Sequence, residues 1–347
     1  MSEAAPAPSA KPARRPPRLS SRSLRWLLAV LGLGFVTWLL WDLGPTAVWS
    51  VIRALGWRVI VLLFVPYVIA VALDTVGWGV LLPGARVGWP ALTGARLAGE
   101  AVNLATPTAS VGGEPLKAFL VRHRVPLHTA LASIIVDKTT VVVGQTLLVA
   151  AGLVLAALAL ETPRELRLAM AVLLGAQLVG SGGFALVQLR GGVAGAGRIL
   201  QRLGVGAAAR HGELLRDVDR RLLDLYRRHG TRVAVSVLLH AGGWAVGALE
   251  IYAVLALAGM PVGLATALVL EAVSAAVRFA TFMIPASLGA LEGGSVAAFV
   301  ALGLPGAAGL SFTLIRRLRE GTWAVIGLVA MSVFKTHPSG QRDVTSS

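Results

Sequence analysis

The sequence predicts an all-α polytopic membrane protein: about six full spans plus two broken, re-entrant helical hairpins arranged as an inverted repeat. Three observations predict it. Of 347 residues, 56% are hydrophobic and 14% charged, with a mean hydropathy of +0.74, whereas soluble domains carry roughly 25% charged residues. Apolar stretches near the length that crosses a bilayer, about 20 residues, recur along the chain. Two of the apolar regions are interrupted at their centres by proline and glycine in matching patterns. The same composition excludes other classes. Cysteine is absent, so neither a disulfide framework nor a thiolate site is expected. The six histidines show no H-x-x-x-H spacing, which argues against a zinc enzyme. A net charge of +15 in so apolar a chain points to basic residues gathered on one side of a membrane rather than to nucleic acid.

Residues 1–23 are rich in Ala, Pro, Ser and Arg, have no apolar face, and are expected to form a disordered basic tail. The membrane domain follows over 24–336. Its candidate full spans are Leu24–Trp41, Trp57–Leu82, Leu131–Leu160, Leu168–Leu189, Val233–Ala258 and Ala308–Phe334. The first resembles a signal peptide superficially, but its Trp-rich end has no small-residue cleavage pattern, so an uncleaved span is expected. The two interrupted regions are Ala91–Arg122 and Leu264–Leu304. Between the halves, the connector 190–232 holds ten arginines against four acids, with Leu215, Val218, Leu222 and Leu225 at helical spacing. It reads as an amphipathic helix on the cytoplasmic headgroups. Residues 337–347 form a second tail. The basic residues of the first tail and the connector put both termini in the cytoplasm, in a bacterial-type inner membrane. Trp26, Trp38, Trp41, Trp57 and Trp89 read as interface anchors.

The interrupted regions superpose. Pro107-Thr-Ala-Ser-Val-Gly-Gly-Glu114 and Pro285-Ala-Ser-Leu-Gly-Ala-Leu-Glu292 share a Pro-x6-Glu pattern 178 residues apart. That offset also sets Trp57 opposite Val235 and Lys138 opposite Arg316, giving repeats over about 57–160 and 235–336. The span 168–189 between them reverses the second unit in the membrane. Inverted repeats with broken helices near the midplane are characteristic of secondary transporters. The half-helices that begin near Gly112, Gly113 and Gly289 are expected to aim free N–H groups into a polar cavity.

Charges fall where lipid should be. An ionisable group at bilayer depth costs on the order of 3 kcal/mol, yet the spans hold Asp74, Arg96, Glu100, Glu250 and Glu271 besides the motif residues. A headgroup site is expected from Glu114, Lys117, Asp137, Lys138, Arg278, Glu292, Arg316, Arg317, Arg319 and Glu320. Arginine suits it because its planar fork binds phosphate in bidentate fashion and stays charged. Arg316 is expected to pair with Glu320 four residues on, leaving Arg317 and Arg319 for other anions. Simpler roles stand beside these. Glu114 and Glu292 serve as helix caps, Glu114–Lys117 as an i,i+3 pair, and Asp137–Lys138 as a charge balance between helices. Asp74 caps backbone freed by Pro66, and Glu250 and Glu271 snorkel from helix ends.

These residues resemble a known family. Gly112-Gly-Glu-Pro-Leu-Lys-Ala-Phe-Leu120 with Ala130-Leu-Ala-Ser-Ile-Ile-Val-Asp-Lys138 is similar to the first motif pair of the lysylphosphatidylglycerol synthase transmembrane-region, or flippase-like, family. Pro285-Ala-Ser-Leu-Gly-Ala-Leu-Glu292 and the glycine after it resemble that family's second motif, and Leu310–Gly321 its last helix. Lys138 stands where arginine is commoner, and Pro115 lies inside the first motif, compatible with a half-helix start. The resemblance implies lipid translocation across the cytoplasmic membrane, or a place in hopanoid or glycolipid metabolism. The chain ends about ten residues after its last span, so the family's soluble aminoacyltransferase domain is not expected, and aminoacyl transfer is not carried over.

The expected function is that of a flippase or secondary transporter for a lipid or lipid-linked headgroup. The alternative is a catalytic or non-catalytic membrane subunit of a lipid-modifying pathway (glycosyl, aminoacyl or hopanoid). No nucleotide, metal or nucleophile motif supports an enzyme, no P-loop supports an ATP motor, and no cofactor is expected. The expected partners are membrane lipids with an anionic or zwitterionic headgroup, with a lipid-synthesis enzyme as the alternative partner and no nucleic acid.

Overall fold

The computed structural model of the chain describes residues 44–105, 112–202 and 211–335, with isolated positions between 34 and 42. Both tails, most of the Leu24–Trp41 span and Pro107 of the first break lie outside the described residues. Twelve α-helices occur among them: α1 (Pro45–Leu55), α2 (Arg58–Gly79), α3 (Trp89–Ala105), α4 (Gly113–Val121), α5 (Leu127–Leu158), α6 (Arg164–Leu189), α7 (Gly192–Arg202), α8 (Gly212–Arg228), α9 (Gly230–Leu257), α10 (Leu264–Ala280), α11 (Ala290–Ala301) and α12 (Gly306–Lys335). A single 3₁₀ turn, Pro285–Ser287, precedes α11. The protein is therefore an all-α membrane protein. Four helices, α2, α5, α6 and α9, are long and apolar enough to cross a bilayer. The predicted span Ala308–Phe334 forms one long helix, α12, but its internal Arg and Glu residues keep it out of that apolar set. On α6, Val172, Leu178, Val179 and Phe184 are exposed, as expected of a helix whose outer face meets lipid.

The helices fall into two sets with the same order. In α2–α5 the lengths are 22, 17, 9 and 32 residues; in α9–α12 they are 28, 17, 12 and 30. The sets exchange partners: α2 packs on α9, α3 on α12, and α5 on both α9 and α10. The short helices α4 and α11 rise only about 14 and 18 Å at 1.5 Å per residue. Neither can cross a hydrocarbon core about 30 Å thick.

Small and polar residues on α5 bring these helices close. Gly144 faces the Ala241 backbone of α9, where a Cβ would lie 2.8 Å from its nitrogen. The Gln145 amide donates to Ala275 O of α10 at 2.7 Å, and Thr140 shares a 2.9 Å bond with Ser236 of α9. Close approach and buried hydrogen bonds of this kind hold helices together where lipid tails compete for every apolar surface.

The connector differs from its expected setting. α8 is amphipathic, but Val218, Leu222 and Leu225 are buried against Leu81, Ala132 and Val136 of the protein rather than in headgroups. Asp219 also caps the start of α7, accepting from Val193 N and Ala194 N at 3.1 and 2.8 Å. Tyr226 donates to Gln188 of α6, whose amide donates in turn to Thr139 of α5, both at 2.8 Å. These ties make α8 part of the bundle.

The two breaks are built differently. At the first, the Gly113 N–H donates to Asn103 Oδ1 at 2.7 Å, so the last turn of α3 caps α4. Gly113 lies directly on the Gly99 backbone, with no room for a side chain. At the second, Ala286 and Ser287 both adopt φ 51° and Gly289 φ 80°. Glu292 accepts the Gly289 N–H at 2.7 Å, capping the start of α11 from within its own first turn. Arg317 of α12 then holds the break: its Nε donates to Glu292 Oε1 at 2.7 Å and its Nη1 to Ala286 O at 2.6 Å. A non-glycine residue in the left-handed region costs on the order of 1–3 kcal/mol and persists only where its surroundings enforce it.

Two stability measurements check this account. Gly113→Val forces a branched side chain into the α3 backbone and should lower stability by roughly 1–3 kcal/mol or more, read as a lower melting midpoint of the detergent-purified protein. Arg317→Ala leaves the buried Glu292 carboxylate unpaired and should cost about 3–5 kcal/mol. Adding Glu292→Gln to that variant, which removes the charge but keeps an acceptor for the cap, should recover part of the loss.

Candidate functional site

Where the two helix sets meet, a cavity of about 390 Å³ opens between α2, α3, α5, α9, α10 and α12. That size falls in the usual range of small-molecule sites, about 300–1,000 Å³. Asn103 and Leu104, at the end of α3 before the first break, line one part of it, and Ala286 of the second break lines another. The end of α3 and the second break thus reach one chamber. Its lining includes five basic residues (Arg96, Lys138, Arg278, Arg316, Arg319) and five acidic ones (Asp74, Glu100, Glu250, Glu271, Glu320). The formal charge of the wall is zero.

Each basic group is paired, since an isolated charge in a medium of low dielectric is several kcal/mol too costly to keep. Arg316, buried on α12 with its guanidinium over the Phe312 ring at 4.6 Å, donates to Glu271 of α10 at 2.6 Å and to Glu250 of α9 at 3.4 Å. Arg319 pairs with the same Glu250 and lies 5.3 Å from the Tyr67 ring of α2. Glu320 is bonded by Arg278 at 2.9 Å and by Arg317 at 3.2 Å. Lys138 meets Glu114 at 2.8 Å. Arg96 bonds Asp74 at 2.7 Å and Glu100 at 3.0 Å, and Glu100 accepts from the Tyr67 hydroxyl at 2.7 Å. Besides Arg96 Nε, which meets Glu100 at 3.0 Å as an ion pair, three buried atoms of the lining residues have no hydrogen-bond partner: Arg316 Nε, Arg319 Nε and Glu250 Oε1. These three atoms lie beneath the wall surface rather than open to the chamber.

Of the ten residues expected to form a headgroup site, Lys138, Arg278, Arg316, Arg319 and Glu320 line the cavity. Glu114, Lys117, Asp137, Glu292 and Arg317 do not. Glu114 and Lys117 are buried, paired at 3.1 Å, and tied to Asn103. Glu292 and Arg317 are committed to the second break. At each half-helix start one N–H is already taken, that of Gly113 by Asn103 and that of Gly289 by Glu292. Orphan N–H groups at a helix start bind whatever acceptor is nearest, and here the chain supplies it. Pro285 opens the 3₁₀ turn, and Gly112 precedes α4.

Four expectations are corrected. Arg316 does not pair with Glu320, because the buried carboxylates of Glu250 and Glu271 (1% and 3% exposed) hold it instead. These two glutamates do not snorkel for the same reason. Arg317 and Arg319 are not left free. Asp74 does not cap backbone near Pro66; its oxygens bind Arg96 and His240. The repeat also shifts by one residue in its last helix. The cation that meets the break glutamate is Lys138 in the first set and Arg317, not Arg316, in the second.

Sequence reasoning passed over His240, Tyr67 and Asn103. His240 carried a usable signal, since it is the one histidine inside an apolar span, Val233–Ala258. Neither curated proteins nor solved structures give a match to this chain. A family profile described as "Lysylphosphatidylglycerol synthase TM region" matches residues 25–328. That stretch includes both breaks, every residue of the cavity wall and both motif glutamates, and the chain belongs to this family of lipid-related membrane proteins.

Proposed function

We propose that the protein is a flippase or secondary carrier that moves a lipid, or a lipid-linked headgroup, across the cytoplasmic membrane, with both termini on the cytoplasmic side. The observation that carries this reading is the charged, formally neutral chamber between two matching helix sets, inside a bundle whose outer surface is apolar. A headgroup crossing a bilayer needs polar partners in place of water. A wall of paired charges offers them without the cost of a bare cation site. Arg278, Arg316 and Arg319 of the wall supply guanidinium groups for a phosphate, and Glu250, Glu271 and Glu320 carboxylates for an ammonium. This combination favours a zwitterionic headgroup over a purely anionic one. The exchanged packing of the sets supports alternating access, since each can rock against the other around a fixed site.

The test is translocation in liposomes containing the purified protein, with acyl-labelled phosphatidylethanolamine and phosphatidylglycerol read by leaflet-selective quenching. Protein-dependent movement is expected, faster for the zwitterionic lipid. Arg319→Gln and Glu250→Gln should each slow it by about tenfold or more, the effect of losing a hydrogen bond to a charged group worth roughly 1.5–3 kcal/mol. Unchanged rates in both folded variants would remove the cavity as the headgroup site.

A further inference from the structure

His240 is fully buried and sits between two carboxylates from two other helices. Its Nδ1 lies 2.7 Å from Asp74 Oδ1 of α2, and its Nε2 lies 3.0 Å from Asp137 Oδ1 of α5. A neutral imidazole has one ring hydrogen and the imidazolium two. Two ring nitrogens facing carboxylate oxygens require two hydrogens, so the trio is complete only with one proton beyond a neutral ring and two carboxylates. With that proton, the trio and Arg96 are formally neutral. Without it, they carry one uncompensated negative charge, and one contact sets a nitrogen lone pair against a carboxylate.

The trio lies deep. Both His240 and Asp137 are ten residues along their helices, about 15 Å at 1.5 Å per residue. It also has an outlet: Asp74 lines the cavity, and its side chain is 22% exposed, against 4% for Asp137 and 0% for His240. The remaining charged and titratable neighbours are accounted for. Arg96 binds the other oxygen of Asp74 and reaches Glu100, which holds Tyr67. Glu114 of α4 occupies Lys117 and Lys138. On α10, α12 and the far part of α9, Glu250, Glu271, Glu320 and their arginines engage one another. The acid–base pairs of α8 gather around Asp217 and Asp224. Arg53 of α1 follows Ile52, which packs in the apolar cluster of Ile251 and Leu255.

We propose that Asp74, His240 and Asp137 form a proton-binding site that exchanges with cavity water through Asp74 and couples a proton to each movement of the lipid. Intramembrane Asp–His chains of this kind serve as relays in pumps and transporters. The proton is taken from hydronium in the cavity by Asp74. It passes along the 2.7 Å contact to Nδ1, while the Nε2 hydrogen bonds Asp137. Only O–H and N–H bonds form or break, and one proton enters for each that leaves. The site joins α2 and α5 of the first set to α9 of the second. Glycines make the junction close: a Cβ on Gly77 of α2 would lie 2.9 Å from His240 Nε2. Losing the proton breaks one tie between the sets and frees them to rock.

The coupling rests on the lipid-carrier reading, so the experiment separates the two. The full-length protein is reconstituted in liposomes with an imposed pH gradient, and the final leaflet distribution of acyl-labelled phosphatidylethanolamine is measured. One proton per lipid sets a limiting asymmetry of about tenfold per pH unit, and a protonophore should abolish it. His240→Gln and Asp137→Asn should leave the lipid evenly distributed. An even distribution in the unmodified protein overturns the coupling and leaves the carrier reading intact; no movement of any lipid overturns both. Asymmetry that persists in folded His240→Gln and Asp137→Asn proteins also overturns the proposal.

Discussion

The structure depends on one constraint: a charge inside a bundle that faces lipid must find an opposite charge within the bundle. Water is unavailable to most of these groups, and the Coulomb energy of a close pair there is several times its value in water. Each pair therefore acts as a fastener between the helices that carry its two ends. Arg316 binds α12 to α9 and α10, Arg96 binds α3 to α2, and Lys138 binds α5 to α4. The apolar contacts around them are plentiful but unspecific, since lipid tails offer much the same. The register of the helices is set by the ions.

This constraint also explains what the sequence disclosed and what it did not. Four of the predicted spans were legible because length and apolar content are local properties, and the second break because Pro-x6-Glu is a local pattern. The helix boundaries of the two sets follow that 178-residue offset to within three residues, except that α9 starts six residues earlier than α2 would place it. Partner choice was not local. Arg316 and Glu320 are well placed for each other on a bare helix, yet the deeper burial of Glu250 and Glu271 decides the matter, and burial is a property of three helices at once. The apolar face of α8 was legible, but what covers it was not, because protein and headgroups are equally good partners for Val218, Leu222 and Leu225. His240 was the costliest omission. A lone histidine in an apolar run has no spacing partner to advertise it, and its two carboxylates lie 166 and 103 residues away.

The balanced wall changes what the cavity can recognise. A cluster of unpaired arginines would hold any phosphate tightly and release it slowly. In the carrier proposed above, paired arginines would yield part of their bonding to a headgroup and recover it on release, so that binding is an exchange among near-equal partners. A carrier benefits from such exchange, because a cargo bound too strongly is not delivered.

The two breaks are mechanically unequal. The first seats Gly113 directly on the Gly99 backbone. The second keeps Ala286 and Ser287 in a conformation they would not choose, and Arg317 is the latch. Among the described residues, non-glycine backbone strain of this left-handed kind is confined to Ala286 and Ser287, and Arg317 of another helix is what holds it there.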